Sequence, residues 1–157
     1  KTGKVHRRGD PLKEGEYHLV VHICIFNSKN ELLIQQRQPF KKRWPNMWDL
    51  TAAGSALQGE SSWQAAEREV AEEIGLKIDL SNKRPIFSIN FIHGFDDYYL
   101  LEQEVDIVSL HLQEEEVQAV RWVSKEEALA MQAQGIMIPY WFLDKLFGIR
   151  NMQDAHG

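Results

Sequence analysis

Residues 54–76, GSALQGESSWQAAEREVAEEIGL, constrain the fold more than any other part of the sequence. Two glycines, Gly54 and Gly59, precede a pair of serines, and glycine allows backbone angles and close contacts that other residues do not. Either serine can cap a helix, and Gly75 stands where that helix would end. The stretch therefore predicts a glycine loop that leads into a helix over about residues 62–74.

Three carboxylates share one face of this predicted helix. Glu69, Glu72 and Glu73 occupy positions i, i+3 and i+4, which are neighbours on a helical surface. Arg68 lies four residues before Glu72 and is in position to orient it or partly neutralise it. Clustered carboxylates repel one another, and a hard divalent cation such as Mg²⁺ or Mn²⁺ relieves that repulsion. The alternative is an acidic helix face that is simply solvated.

The same stretch resembles the Nudix box. That pattern is a Gly, five residues, a Glu, seven residues, Arg-Glu, an aliphatic residue, any residue, Glu-Glu, any residue, a Gly and an aliphatic residue. The sequence fits it throughout, at Gly54, Glu60, Arg68, Glu69, Val70, Glu72, Glu73, Gly75 and Leu76. The resemblance implies an α/β fold, the Nudix α/β/α sandwich with a mixed β-sheet, and a hydrolase that uses Mg²⁺ or Mn²⁺.

The rest of the chain predicts strands and helices that are compatible with this fold. Runs rich in β-branched and aromatic residues predict strands over about residues 17–26, 31–37, 48–53, 85–93, 98–108 and 117–123, with a turn at 94–97. A capping-box pattern and a proline predict two further helices, over about residues 125–134 and 139–147. One sheet would carry the box helix on one face and these C-terminal helices on the other. We expect residues 1–157 to form a single domain, with residues 1–16 as a short polar lead-in.

Composition narrows the range of partners. No run of about 18 apolar residues is present, which predicts no membrane span, and the N-terminus lacks the pattern of a signal peptide. Cys24 is the single cysteine, so an internal disulfide cannot form, which fits the reducing cytoplasm. A net charge of −5 disfavours non-specific binding to nucleic acid. We therefore expect a cytoplasmic protein whose partner is a small molecule.

A longer stretch, residues 17–61, resembles one branch of the Nudix superfamily, the isopentenyl-diphosphate isomerases. Those enzymes use a cysteine just before the box glycine for allylic proton transfer and a histidine just after it to bind a metal. Ala53 and Ser55 stand at these positions and supply neither function. The REVAEE segment at 68–73, often lost in the isomerases, is complete here. The residues therefore favour hydrolysis over isomerisation.

The resemblance also implies roles for individual residues. The catalytic candidates are Glu69, Glu72, Glu73, Arg68 and Glu116, and the general base is Glu69, Glu72 or Glu116. The metal would be held by Glu69, Glu72, Glu73, Glu116 and the backbone carbonyl of Gly54. In the branch, His18 and His22 match or adjoin a histidine that binds metal, and the alternative is a structural histidine satisfied by hydrogen bonds.

A basic segment precedes the box and suits the distal phosphates of a substrate. Basic side chains bind phosphate, arginine in a bidentate manner, and the candidates are Arg37, Lys41, Lys42 and Arg43. The alternative is a solvated basic loop. The implied substrate is a small diphosphate, such as a nucleoside diphosphate linked to another group. The sequence does not state the oligomeric state, and because dimers are common in the branch, a homodimer is one possible state.

Three functions remain open at this point. The first is metal-dependent hydrolysis of a diphosphate linkage, which the complete set of acidic positions favours. The second is isomerisation of isopentenyl diphosphate with an altered acid and base. The third is a non-catalytic module that binds a nucleotide. The fold alone does not choose among them, because one fold hosts several functions.

Overall fold

The computed structural model describes residues 18–149. Its strands, in chain order, are β1 (His18–Phe26), β2 (Leu32–Arg37), β3 (Trp48–Asp49), β4 (Ala52–Ser55), β5 (Phe87–Phe91), β6 (Gly94–Glu102) and β7 (Val117–Val123). Its helices are α1 (Ser62–Ile74), α2 (Lys125–Ala133) and α3 (Leu143–Ile149), with a 3-10 turn at Ile107–Ser109. The predicted lead-in lies outside the described residues.

Strand β1 is the centre of the sheet. It pairs in parallel with β6, from His18 opposite Gly94 to Phe26 opposite Glu102. It also pairs antiparallel with β4. Strand β2 meets β1 antiparallel and bridges to β3 and β7, while β5 pairs antiparallel with β6 at the far edge. One parallel pairing among antiparallel ones makes the sheet mixed, as predicted.

Helices cover both faces of this sheet. Val21, Ile23 and Ile25 of β1 point to one face, where they pack with the apolar side of α1. Cys24 and Phe26 point to the other face, where α2 and α3 cover them. A strand that is buried on both faces is apolar almost throughout, which explains the continuous hydrophobic run of β1. The predicted α/β/α sandwich is confirmed.

The box helix is fixed at both ends by its own sequence. Ser61 is the N-cap: its hydroxyl accepts from Gln64 N, while its own N–H donates to Gln64 Oε1 at 2.9 Å. Gly75 ends the helix at φ +68°, and its N–H bonds to the Ala71 carbonyl. A left-handed residue at this position closes the last turn with little strain only if it is glycine. The predicted bounds of α1 are confirmed.

Strand β6 begins earlier than predicted. It starts at Gly94, so the turn predicted at 94–97 is wrong and the chain reverses before this glycine. A Cβ on residue 94 would overlap the carbonyl oxygen of His18, so this glycine serves close strand packing and not a turn. The strand also ends at Glu102, short of the predicted residue 108, and the 3-10 turn follows.

Two other boundaries differ from the prediction. The strand predicted at 48–53 is divided into β3 and β4. The last helix begins at Leu143 and not at Pro139, because Ile138 N donates to the Trp48 carbonyl and holds this segment extended beside β3. Residues 76–80 form a link without strand pairing. No helix within residues 18–149 is long and apolar enough to cross a membrane.

Candidate functional site

Arg68 joins the glycine loop to the carboxylates of α1. Its Nε and Nη2 bind the two carboxylate oxygens of Glu60 at 2.7 and 3.1 Å. Its Nη1 donates to Glu69 at 2.9 Å and to Glu72 at 3.0 Å, and Nη2 also reaches the carbonyl of Ser55. The bidentate bond with Glu60 is the main reason why the pKa of Arg68 lies above its ordinary value. The arginine is thus a fixed positive charge between loop and helix.

Glu69 lies directly against Gly54. A Cβ on residue 54 would overlap the Glu69 carboxylate, so any other residue there would displace this side chain from its present position. Burial raises the pKa of Glu69 despite the neighbouring Arg68, and the charges of Glu72 and Glu116 raise it further.

Glu73 is the most buried carboxylate of α1, with 7% of its surface exposed. Its Oε1 accepts from the backbone N of Ala53 at 2.9 Å and from Gln35 Nε2 at 3.2 Å. Its other oxygen makes no hydrogen bond within residues 18–149. Burial raises the pKa of Glu73 to about 8, so the metal-free protein holds a proton there at neutral pH. A cation that replaces this proton gains a charged oxygen ligand.

The remaining acidic candidates are more accessible. The Glu72 side chain is 47% exposed and is held by Arg68. Glu116 precedes β7 and forms an ion pair with Lys41 of the loop before β3. Gln38 fastens these two loops together, because its side chain donates to the carbonyls of Glu114 and Val117.

The donor atoms fit a hard divalent cation in their chemistry. Glu69, Glu72, Glu73, Glu116 and the Gly54 carbonyl supply oxygen only, which Mg²⁺ and Mn²⁺ prefer. Across the described part of the chain, however, no three His, Cys, Asp or Glu side chains are already arranged to hold a metal. Arg68 and Lys41 engage Glu69, Glu72 and Glu116 instead. Arg68 Nη1 binds one oxygen of the exposed Glu72, Oε2, at 3.0 Å.

The four basic residues predicted to bind phosphate lie in different environments. Arg37 donates through Nε to the carbonyl of Arg43, and this bond closes the loop between β2 and β3. Lys41 is engaged by Glu116, whereas Lys42 and Arg43 are exposed. Two of the four predicted phosphate ligands therefore also have structural partners.

Sequence reasoning missed three contributors to the site. Gln35, the backbone N of Ala53 and the carbonyl of Ser55 hold Glu73 and Arg68 in place. The sequence does contain a signal for Gln35, because this polar residue directly follows an apolar run in a predicted strand. In the structure, Gln35 is buried together with that run. His22 lies on the opposite face of β1 from α1, where it bonds to Asp96.

Comparison with known proteins identifies the family. The NUDIX domain model matches residues 16–141. An uncharacterized Nudix hydrolase of Listeria monocytogenes is 56% identical over 99% of this chain and 92% of its own length. An isopentenyl-diphosphate Delta-isomerase of Pectobacterium atrosepticum is 34% identical over 66% of this chain and 55% of its own.

Solved structures agree with this result. The protein DR0079 of Deinococcus radiodurans superposes with a TM-score of 0.72 at 26% identity, over 94% of this chain and 91% of that one. A MutT protein of Methanosarcina mazei has the same fold, with a TM-score of 0.69 at 24% identity over 90% of this chain and 100% of its own. The chain therefore belongs to the Nudix family and is one of its hydrolases.

Proposed function

We propose that this hydrolase cleaves a diphosphate linkage in a small organic substrate, of the nucleoside diphosphate type or a related one, with Mg²⁺ or Mn²⁺ as its cofactor. The observation that carries the proposal is the arrangement around Glu73. A carboxylic acid with a pKa of about 8 lies beside Glu69 and Glu72, and its Oε2 accepts no hydrogen bond within the described chain. Such a group readily exchanges its proton for a cation.

The cation would be held by Glu69, Glu72, Glu73, Glu116 and the carbonyl of Gly54. When bound, it supplies positive charge beside the phosphate oxygens and makes water a stronger acid. Arg68 orients Glu69 and Glu72 and keeps Glu60 beside the loop. We assign Glu60 this supporting role because both of its carboxylate oxygens are engaged by Arg68.

A carboxylate near this site removes the proton of the attacking water. Glu69, Glu72 and Glu116 are the candidates, and Glu72 has the most exposed side chain of the three. Glu116 must first leave Lys41. Arg37 at the end of β2 and the loop residues Lys41, Lys42 and Arg43 would bind the distal phosphates. Gln38 fastens this loop to the loop of Glu116, which keeps the basic residues near the acidic ones.

Isomerisation has less support from the residues. Ala53 offers no proton to exchange, and Ser55 is a poor ligand for the metals that a histidine binds. Transfer of the isomerase name from the Pectobacterium relative would therefore need a different acid and base. We further propose that the protein acts in the cytoplasm, as a monomer or a homodimer, without binding nucleic acid or a membrane.

Hydrolysis of a substrate panel tests the proposal. The purified protein is incubated at pH 8–9 with nucleoside diphosphates, nucleotide sugars and isoprenoid diphosphates, with Mg²⁺, with Mn²⁺ or with a chelator. A nucleoside or isoprenoid diphosphate releases inorganic phosphate, whereas a nucleotide sugar yields a nucleoside monophosphate and a sugar phosphate, so both inorganic phosphate and nucleotide products are measured. We expect release of these products from at least one compound in the presence of metal and none with the chelator. Absence of metal-dependent release across the whole panel would refute the proposed function.

A further inference from the structure

A cluster of polar side chains joins the start of α1 to the sheet, on the side of the sheet that α1 covers. Ser62, the first residue of α1, donates its hydroxyl proton to Asp97 Oδ2 at 2.6 Å. The same Ser62 oxygen accepts from the hydroxyl of Tyr99 at 2.8 Å. The other carboxylate oxygen of Asp97 accepts from the hydroxyl of Ser88 in β5. Asp97, in β6, therefore connects α1 with β5.

The chemistry of these groups gives each bond a direction. A hydroxyl has one proton to donate, whereas a carboxylate only accepts. Because Ser62 donates to Asp97, its oxygen is left to accept the proton of Tyr99. Hydrogen bonds to an ionised acceptor are stronger than those between neutral groups. The Asp97 carboxylate thus holds Ser62 more firmly than a neutral acceptor would.

Capping and hydrophobic contact do not by themselves fix where the start of α1 lies on the sheet. Ser61 caps the helix by bonding to Gln64, and both residues belong to the same short segment. Ala65 and Ala66 are buried nearby, but they are small, and hydrophobic contact has no preferred direction. The bond from Ser62 to Asp97 is directional and attaches the first turn to β6.

The register of the sheet places this attachment in line with the carboxylate site. Val21 stands opposite Gly54 in β4 and opposite Asp97 in β6, so two strand spacings, about 10 Å, separate Gly54 from Asp97. Along the helix, Ser62 bonds to Asp97 and Glu69 lies against Gly54. Seven residues of an α-helix rise about 10.5 Å. The two contacts of α1 thus match the spacing of the strands beneath them.

We propose that Asp97 is a positioning residue for the carboxylates of α1. By holding Ser62 it fixes the place of α1 on the sheet, and with it the place of Glu69 and Glu73 against β4. The inference rests on the proposed cation site. A displacement of about 1 Å is enough to impair such a site strongly. Both oxygens of Asp97 are engaged within the cluster, so the residue acts through α1 and is not itself a ligand.

Cation affinity tests this role without any substrate. Mn²⁺ binding is measured by titration calorimetry for the wild-type protein, Asp97→Ala and Asp97→Asn. We expect Asp97→Ala to weaken binding by about 10-fold or more, as the loss of a group that supports metal ligands does. Asp97→Asn keeps an oxygen that accepts from Ser62, so its affinity should stay within about 3-fold of the wild type. Unchanged affinity in Asp97→Ala, or an equal loss in both variants, would overturn the proposal.

Ser124→Ala is the matched control for a general loss of stability. Ser124 caps α2, which packs on the other face of the sheet from α1. Loss of this cap should lower Tm by roughly 2–4 °C and leave the affinity for Mn²⁺ unchanged. If Ser124→Ala weakened Mn²⁺ binding as much as Asp97→Ala does, reduced stability would explain both results and the positioning role would be refuted.

Hydrogen exchange separates this inference from the proposed function. Glu73 accepts from the backbone N of Ala53 at 2.9 Å, a bond that depends on the place of α1 but needs neither cation nor substrate. In metal-free Asp97→Ala we expect the Ala53 amide to exchange at least about 10-fold faster than in the wild type. The Ala128 amide, bonded within α2, is the internal reference and should change less.

The two proposals therefore fail in different ways. If the wild-type protein binds no Mn²⁺ but the Ala53 amide of Asp97→Ala exchanges faster, the cation site is refuted and the effect of Asp97 on α1 is supported. If the wild-type protein binds Mn²⁺ and the Ala53 amide exchanges at the same rate in both proteins, the cation site is supported and the positioning role of Asp97 is overturned.

Discussion

Glu73 is buried at the proposed cation site, and its burial makes the stability of the metal-free protein depend on pH. Its pKa is raised to about 8 in the folded protein, whereas an exposed glutamate titrates near 4.5. Between these values the folded state binds the proton more tightly than the unfolded state. The stabilising effect is thus complete below about pH 4.5 and is lost as pH rises through 8.

We therefore expect the metal-free protein to become less stable as pH rises from 5 to 8. The slope due to this residue is at most about 1.4 kcal/mol per pH unit in the free energy of unfolding. Urea unfolding in the presence of a chelator measures it. Glu73→Gln keeps the side-chain size but does not titrate, so its slope should be smaller over the same range. Equal slopes in the two proteins would contradict the raised pKa of Glu73.

Glu72 permits a separate test of catalysis at the residue scale. Its side chain is 47% exposed, so Glu72→Gln should leave the free energy of unfolding nearly unchanged. We expect turnover with Mg²⁺ to fall more than about 100-fold, as for the loss of a metal ligand or general base. Glu126→Gln, an exposed glutamate in the first turn of α2, is the control. Near-normal turnover in both Glu72→Gln and Glu73→Gln would remove the site assignment.

At the scale of elements, the contact between β4 and α1 decides the geometry of the site. Gly54→Ala introduces a methyl group into the space of the Glu69 carboxylate. The overlapped atoms are the end of a flexible side chain that can move, so we expect a cost of no more than about 1 kcal/mol in the free energy of unfolding. Turnover should fall at least about 10-fold, because Glu69 is displaced. Thermal unfolding and phosphate release measure the two effects.

Gly148 in α3 offers a matched control for that substitution. A Cβ there would meet nothing within 4 Å, so Gly148→Ala should be neutral or stabilise α3 by up to about 1 kcal/mol. Turnover should stay at the wild-type level, because α3 lies on the other face of the sheet from α1. If Gly54→Ala behaved like this control, the close contact of Gly54 with Glu69 would have no functional role.

The elements themselves differ in how far sequence predicts them. The bounds of α1 were predictable because Ser61, Gly75 and the carboxylate spacing are local features of one turn or two. The start of β6 was not, because Gly94 is explained by a strand that is distant in sequence. The same holds for the segment at Pro139, where the bond from Ile138 N to the Trp48 carbonyl overrides a pattern that favours helix.

The residues of the site differ in the same way: contacts within one helix are predictable from the sequence, and contacts between distant strands are not. Glu69, Glu72 and Arg68 meet within one helix, so their spacing alone predicts their neighbourhood. The bond from Gln35 to Glu73 spans 38 positions, and the bond from His22 to Asp96 spans 74. Strand order and register decide such pairs, and a single sequence states neither. The acidic cluster was therefore predictable, whereas the groups that hold and extend it were not.

At the scale of the whole molecule, the cation should act as a stabilising ligand. The carboxylates proposed to bind it are gathered only in the folded state, so binding should shift the folding equilibrium by mass action. A cation at 100 times its dissociation constant adds about 2.7 kcal/mol, which for a chain of this size raises Tm by roughly 5–11 °C. Differential scanning calorimetry with Mn²⁺ and without it measures this shift, and Glu72→Gln should reduce it.

Binding of the cation should also release a proton, and this release distinguishes the Glu73 site from an ordinary acidic surface. At pH 7 the metal-free protein holds a proton on Glu73, since the pKa there is about 8, and a bound cation replaces it. Titration calorimetry with Mn²⁺ in buffers of different ionisation enthalpy should give close to one proton released per ion at pH 7 and about half of one at pH 8. Exposed carboxylates are already ionised at both values and would release none. In Glu73→Gln the release should vanish even where weak binding persists, and a proton count near zero in the wild-type protein would exclude Glu73 as a ligand.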